Sequence, residues 1–276
     1  MGVVGLCTPA VPMFTDSVLW GGLRFVDPVE PARREVERLR SVEHCDVVVL
    51  LAHMGLERDP ATGADRAGDS PGENWGYRLA QQVRGVDAVI LGHTHTVIPS
   101  ARVSGTLVTQ AGKYAEALGR IEIKLSRLTD RSPWTVGEAR ARVLAVSDTL
   151  PEDSTLADMA RPYHDAARTA LAAVVGRTTR LLAAPAGRAA DNALWQLIHR
   201  AQLAASGAEI SLAALPEPAA TILPGPVTGR DLLRLYPYEN TLGVVELSGA
   251  ELKQVLEKSA GFLAAYDFEH ERPLFA

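Results

Sequence analysis

DVVVLLAHMG at residues 46–55 and VDAVILGHTH at residues 86–95 decide the fold. Each contains a short uncharged aliphatic run, 47–52 in one and 88–91 in the other. Runs of this kind read as strands buried on both faces. Residues 73–85 between them fit a helix that Gly85 would cap. Strand, helix, strand in that order is a βαβ unit, which implies a parallel sheet and an α/β fold. Both runs end in a histidine close to a glycine: His53 precedes Met54 and Gly55, while His93 and His95 follow Gly92. Ligands of open α/β sheets gather at the carboxyl ends of parallel strands. Three imidazoles at two such ends therefore point to a metal site.

Outward from this unit, residues 3–6 read as a further short strand. Residues 28–43 read as a helix, with Pro28 in a first-turn position and Val36, Leu39 and Val42 at helical spacing. Residues 55–72, rich in Gly, Asp and Pro, read as a loop. The alternating segments 106–109, 118–125 and 141–146 read as antiparallel strands. Leu150-Pro151-Glu152-Asp153-Ser154 marks a boundary. A long helix follows at 156–175, with Met159 and Leu171 on an inner face, as a connector between two domains. The second half is expected to hold helices at 188–206, 231–235 and 249–262 and strands at 209–215 and 242–247, with no stable pattern from 264 onward. The domain expectation is thus 1–150, a connecting helix at 151–175, and 176–276.

Of the 276 residues, 47% are hydrophobic and 22% charged, as in a chain with real cores. The formal net charge of −5 argues against a nucleic-acid polymer as partner but leaves room for a small nucleotide in a local pocket. Cys7 and Cys45 lack the spacing of a metal site and read as buried or isolated thiols. No apolar run reaches the ~18 residues of a membrane span. The opening MGVVGLCTP has no basic n-region of a secretory signal.

Neutral imidazole is a common ligand of borderline metals. The short Thr94 lets the rings of His93 and His95 turn toward one cavity, and Gly92 permits close backbone approach or a positive φ. Asp87, Gly55 and Gly92 are consistent with turns around a crowded pocket. The competing reading, strongest for His53 taken alone, is a hydrogen-bonded structural histidine. His44, His164, His199 and His270 lie in helical or irregular stretches and read as surface or core residues.

Together the two histidine stretches resemble the last two metal-binding motifs of the calcineurin-like metallophosphoesterases, and within them the 5′-nucleotidase group. Residues 1–125 resemble the second half of that catalytic domain. The resemblance implies a partial β-sandwich flanked by helices, with divalent metals, zinc or manganese, at the strand ends. It places His53 and His93 on one metal and His95 on the other. It implies two-metal phosphoester hydrolysis, with cations ~3.5–4 Å apart, in a periplasmic or secreted setting. The motifs that should precede His53 are missing, since residues 1–46 hold no Asp-x-His, no Gly-Asp and no Gly-Asn-His. The bridging carboxylate and the catalytic histidine therefore have no assignment. The expectation is a chain that begins partway through the catalytic domain and exposes an unpaired apolar sheet edge. It would hold at most one weakly bound metal on His53, His93 and His95.

A second resemblance rests on DLLRLYPYENTL at 231–242 and VVELSGAELKQVLE at 244–257, with Ala190-Asp191-Asn192 opening a helix and 210–214 as a strand. It is to the C-terminal domain of the 5′-nucleotidases over about 176–262, and it stops before that domain's second base-stacking aromatic. The YPYENTL form fits the 2′,3′-cyclic-nucleotide 2′-phosphodiesterase/3′-nucleotidase branch. So does the absence from 213–219 of the Asn-Gly-Gly-Gly-Ile-Arg string carried by many 5′-nucleotidases. Chemistry alone reads Tyr238 as a ring packed between a helix and a strand. The resemblance makes it a base-stacking residue, a contact worth roughly 1–3 kcal/mol, with the Asn240 amide able to read a base edge. The implied function is metal-dependent hydrolysis of 2′,3′-cyclic, 3′- or 5′-nucleotides, with a nucleotide or nucleoside as ligand and this chain inactive alone. A non-catalytic nucleotide-binding remnant and a single-zinc hydrolase using His53, His93 and His95 are the alternatives.

Overall fold

Strand β1 (Gly2–Cys7) is followed by a short helix α1 (Val11–Phe14), helix α2 (Val29–Ser41) and strand β2 (Val48–His53). β1 and β2 run parallel and in register, from Gly2 beside Val48 to Cys7 beside His53. Helix α3 (Gly76–Gln82), strand β3 (Ala88–Leu91), strand β4 (Val97–Val103) and strand β5 (Thr106–Ala111) come next. These strands form one sheet in the order β1-β2-β3-β5-β4, with only β4 antiparallel to its neighbour. The computed structural model describes all residues except 67–69, 189, 239, 262–264, 268–271 and 275–276. The chain divides into two units, Met1–Pro151 and Glu152–Ala276.

Side-chain alternation along β2 builds two cores, because successive residues of a strand point to opposite faces. Val48, Leu50 and Ala52 join Val36 and Leu39 of α2 and Leu79 and Ala80 of α3 in the larger cluster. Val47 and Val49 join Ala88, Leu107 and Ala139 on the opposite face. That face is covered not by helices but by a hairpin of β6 (Ala117–Ser126) and β7 (Thr135–Ala145), whose Ile121, Ile123 and Val136 pack against it. Each fully buried Val or Leu adds about 1.5–3 kcal/mol. β1 lies at an edge of the sheet, where Val3 is 49% exposed, and Leu51 of β2, beside Gly5 of β1, is 45% exposed. Both cysteines are free, and Cys7 is exposed rather than buried.

Two expectations for this unit are corrected and one strand is added. The segment expected at 106–109 forms β5 (106–111), which is antiparallel to β4 but parallel to β3. β4 escapes a sequence reading because Pro99 interrupts it, and the register slips between Ile98 and Ala101. Proline is confined to edge strands and bulges, and β4 is an edge. Asp87 lies just before β3, at the opposite end of the strand from His93. There its carboxylate accepts from Val48 N at 2.7 Å and pairs with Arg40 at 2.6 Å, pinning α2 to the amino ends of the strands.

The second unit opens with helix α4 (Ser154–Leu171), capped by Asp153, which accepts from Thr155 N and Leu156 N. α4 stops short of 175 because Val174–Thr178 forms strand β8 instead, and Met159 stands 67% exposed rather than on an inner face. Helix α5 (Ala193–Ser206), strand β9 (Gly225–Thr228), helix α6 (Gly229–Leu235) and helix α7 (Gly249–Ala260) follow. β8 and β9 pair antiparallel. Leu194, Ile198, Leu215, Ile222 and Leu235 form the core. Phe262, the expected end of α7, lies outside the described residues. Beyond it, where no pattern was expected, β10 (Ala265–Asp267) and β11 (Arg272–Leu274) make a short antiparallel pair.

The expected strands at 209–215 and 242–247 are irregular and join no ladder among the described residues. Their aliphatic content is strand-like, yet Leu212 and Val244 are 47% and 66% exposed. In 209–215 side chains take the carbonyls a ladder would use: Trp195 donates to Ala213 O at 2.9 Å and Arg188 to Leu215 O at 2.7 Å.

Candidate functional site

β2 and β3 are neighbours whose register sets Ala52 beside Leu91, so the turns that follow them are adjacent. Met54 N donates to Ala52 O at 2.8 Å and Thr94 N donates to Gly92 O at 2.7 Å. His53, the last residue of β2, and His93, just past β3, therefore each sit at the centre of a three-residue turn. A bond from Gly92 N to Met54 O at 3.3 Å ties the two turns together. His93 and His95 have φ of +65° and +57°. In that left-handed region an L-residue costs about 1–2 kcal/mol, and such strain collects at functional loops.

The glycines supply room rather than a positive φ. A Cβ on Gly55 would lie 2.3 Å from Thr94 Cγ2, and one on Gly92 would lie 3.3 Å from His53 Nδ1. The His53 and His93 rings meet at a centroid distance of 5.4 Å with an interplanar angle of 61°. His95 is not part of this pair, since its ring faces Tyr114 at 5.8 Å. Three residues near the pair carry no motif in the sequence. Phe14 of α1 sets its ring 5.5 Å from that of His93. Glu73 Oε1 lies 2.7 Å from His93 Nε2, both side chains being under one-fifth exposed. The buried Asn74 accepts from Gly55 N at 2.6 Å. The one sequence signal for the last two is a polar pair directly before α3, where a loop would otherwise carry solvated residues.

Two imidazoles ligating one tetrahedral cation at ~2.0–2.1 Å hold their centroids about 5 Å apart. The His53–His93 spacing fits two positions of such a shell. Among the described residues no group of three or more His, Cys, Asp or Glu is placed to hold a metal ion. The described donors thus fit part of one cation's shell and do not fit a two-cation centre.

In the second unit, Tyr236-Pro237-Tyr238 follows α6. Tyr238 is 61% exposed and is not packed between a helix and a strand. The half-buried tyrosine is Tyr236, whose hydroxyl accepts from Asn240 Nδ2 at 3.0 Å. Tyr236 and Asn240 line an apolar cleft of about 490 Å³ with Leu197, Ile198, Leu232 and Leu235. The cleft has the volume and lining of a small-ligand site, with Asn240 as a polar group at its wall and Tyr238 standing free beside it in sequence. Glu239 lies outside the described residues. His199 stacks on Trp195 and bonds Ser211, a structural role consistent with its reading.

Residues 174–271 match the family described as 5′-nucleotidase, C-terminal domain. The chain is 28% identical, over 99% of its length and 47% of the relative's, to the 2′,3′-cyclic-nucleotide 2′-phosphodiesterase/3′-nucleotidase of Salmonella typhimurium. It is 29% identical to the protein of the same name from Yersinia enterocolitica, over 99% of this chain and 46% of that one. Among solved structures, a putative 5′-nucleotidase from Staphylococcus aureus superposes with a TM-score of 0.77 at 23% identity, over 99% of this chain and 52% of that chain, which establishes a shared fold. The chain spans about half the length of the curated relatives it matches.

Proposed function

We propose that this chain serves the metal-dependent hydrolysis of nucleotide phosphoesters, with a cation at the His53–His93 turns and the nucleoside taken by the second unit. One observation carries the reading. Two histidine-centred turns converge at adjacent parallel strand ends in a chain whose residues 174–271 match a nucleotidase domain. A bound divalent cation supplies a Lewis acid for phosphoryl oxygens and a water of lowered pKa. The chain's own residues do the positioning: His53 and His93 ligate, Glu73 orients His93, Tyr238 stacks on the base and Asn240 reads its edge. His95 is turned toward Tyr114 and is assigned no part in holding this cation. A periplasmic or secreted setting belongs to the same proposal.

We expect nucleotide binding without turnover, because two imidazoles converge and, among the described residues, no third donor or bridging carboxylate joins them. The same observation favours a second reading, a nucleotide-binding protein with no catalytic role. Calorimetric titration of adenosine 3′-monophosphate, with and without zinc, separates the two. We expect zinc to tighten binding in the wild type but not in His53→Ala. Tyr238→Ala should weaken binding about 5- to 150-fold, the equivalent of 1–3 kcal/mol. Binding that ignores zinc but still needs Tyr238 supports the second reading. No nucleotide binding at millimolar concentration overturns both.

A further inference from the structure

We propose that Glu73 is the positioning residue of the histidine pair: it locks His93 as the Nε2–H tautomer, leaving Nδ1 as that ring's only lone pair. The proposal deepens the reading above and rests on it for the use to which the lone pair is put. The lock itself follows from the hydrogen bond.

An ionised carboxylate only accepts. With Glu73 Oε1 2.7 Å from His93 Nε2, the proton of that bond belongs to Nε2. A charge-assisted bond of this length is among the stronger ones a side chain makes. In a neutral imidazole the other nitrogen must then carry the lone pair. A carboxylate on the far nitrogen of a ligating histidine is the usual way a protein fixes the ring's tautomer and its direction.

Glu73 is itself held. Its second carboxylate oxygen accepts from Ser70 N at 3.2 Å, and its carbonyl accepts from Thr8 Oγ1 at 2.5 Å. Thr8 is 3% exposed and follows β1, so the anchor comes from the carboxyl end of a third strand. The next residue, Asn74, holds Gly55 N at 2.6 Å, just past the His53 turn. One dipeptide, Glu73-Asn74, thus fastens the turns of both β2 and β3. A left-handed His93, at φ +65°, needs such fastening, since strained backbone persists only where its surroundings over-determine it.

The test reads the tautomer and zinc affinity separately, on the full chain. Imidazole nitrogen NMR of the wild type should show His93 with a protonated Nε2 and an unprotonated Nδ1. Glu73→Gln keeps an acceptor oxygen and should keep this signature. Glu73→Ala should show both tautomers. Zinc affinity, measured by competition with a chelating dye, should fall about 10- to 100-fold in Glu73→Ala and less in Glu73→Gln. His53→Ala should lose zinc while His93 keeps its tautomer. A locked tautomer in a wild type that binds no zinc upholds the role of Glu73 and sinks the metal reading. An unchanged tautomer and unchanged zinc affinity in Glu73→Ala overturn the role of Glu73. Should Glu73→Ala fail to fold, a wild-type spectrum with the proton on Nδ1 overturns it equally.

Discussion

The rings of His53 and His93 meet at 5.4 Å although a helix and its flanking loops separate them in the chain. The contact follows from strand register. Ala52 lies beside Leu91 in neighbouring parallel strands, so the residues just beyond them leave the sheet together. Everything else at the site, from the bond between the two turns to the absence of side chains on Gly55 and Gly92, keeps that pair close.

Gly55 has no room for a methyl group, its Cβ position being 2.3 Å from Thr94 Cγ2. Gly55→Ala should destabilise the first unit by about 1–3 kcal/mol, the usual cost of overpacking. Chemical denaturation with unchanged cooperativity measures it. A stability equal to wild type would show that the two turns are not tightly packed.

His95 is exposed and left-handed, at φ +57°. His95→Gly should leave stability unchanged or raise it by up to ~1 kcal/mol, because glycine adopts this conformation freely. A loss of more than ~1 kcal/mol in thermal denaturation would mean that His95 is a structural histidine after all.

Asp87 is 13% exposed and holds both Arg40 and Val48 N. Asp87→Ala leaves Val48 N without its acceptor and Arg40 with only backbone carbonyls, and should cost about 1.5–3 kcal/mol. Since Asp87 lies at the far end of β3 from the histidines, zinc binding by the folded variant should not change. Reduced zinc affinity with intact fold would contradict this placement.

Asp231 and Glu251 close capping boxes on α6 and α7. Bonds from the Thr228 backbone and then its hydroxyl hold the Asp231 carboxyl below its ordinary range, and those from the Ser248 hydroxyl and then its backbone do the same for Glu251. A depressed folded-state pKa stabilises above the unfolded-state value and is lost as pH falls through the folded one. The second unit should therefore weaken below about pH 4. Asp231→Asn should be less stable at neutral pH and lose less on acidification, as followed by helical circular dichroism. Identical pH profiles for variant and wild type would remove Asp231 from the account.

Much of the first unit was legible in the sequence because aliphatic runs between polar turns have few other readings. β1, β2, β3 and α2 come directly from them. The same signal fails at 209–215, where Trp195 and Arg188 take the carbonyls that a ladder would use. At β4 a proline conceals an edge strand. At the site the histidines stood out because imidazole after a buried run is unusual. Glu73, Asn74 and Phe14 did not, because they reach the turns only through the folded chain.

The central claim is that His53 and His93 together hold one divalent cation. Equilibrium dialysis against zinc followed by elemental analysis, on wild type, His53→Ala and His93→Ala, tests it most directly. The account predicts one ion per wild-type chain and none in either variant. No ion in the wild type, two tightly held ions per chain, or one ion retained in both variants would contradict it.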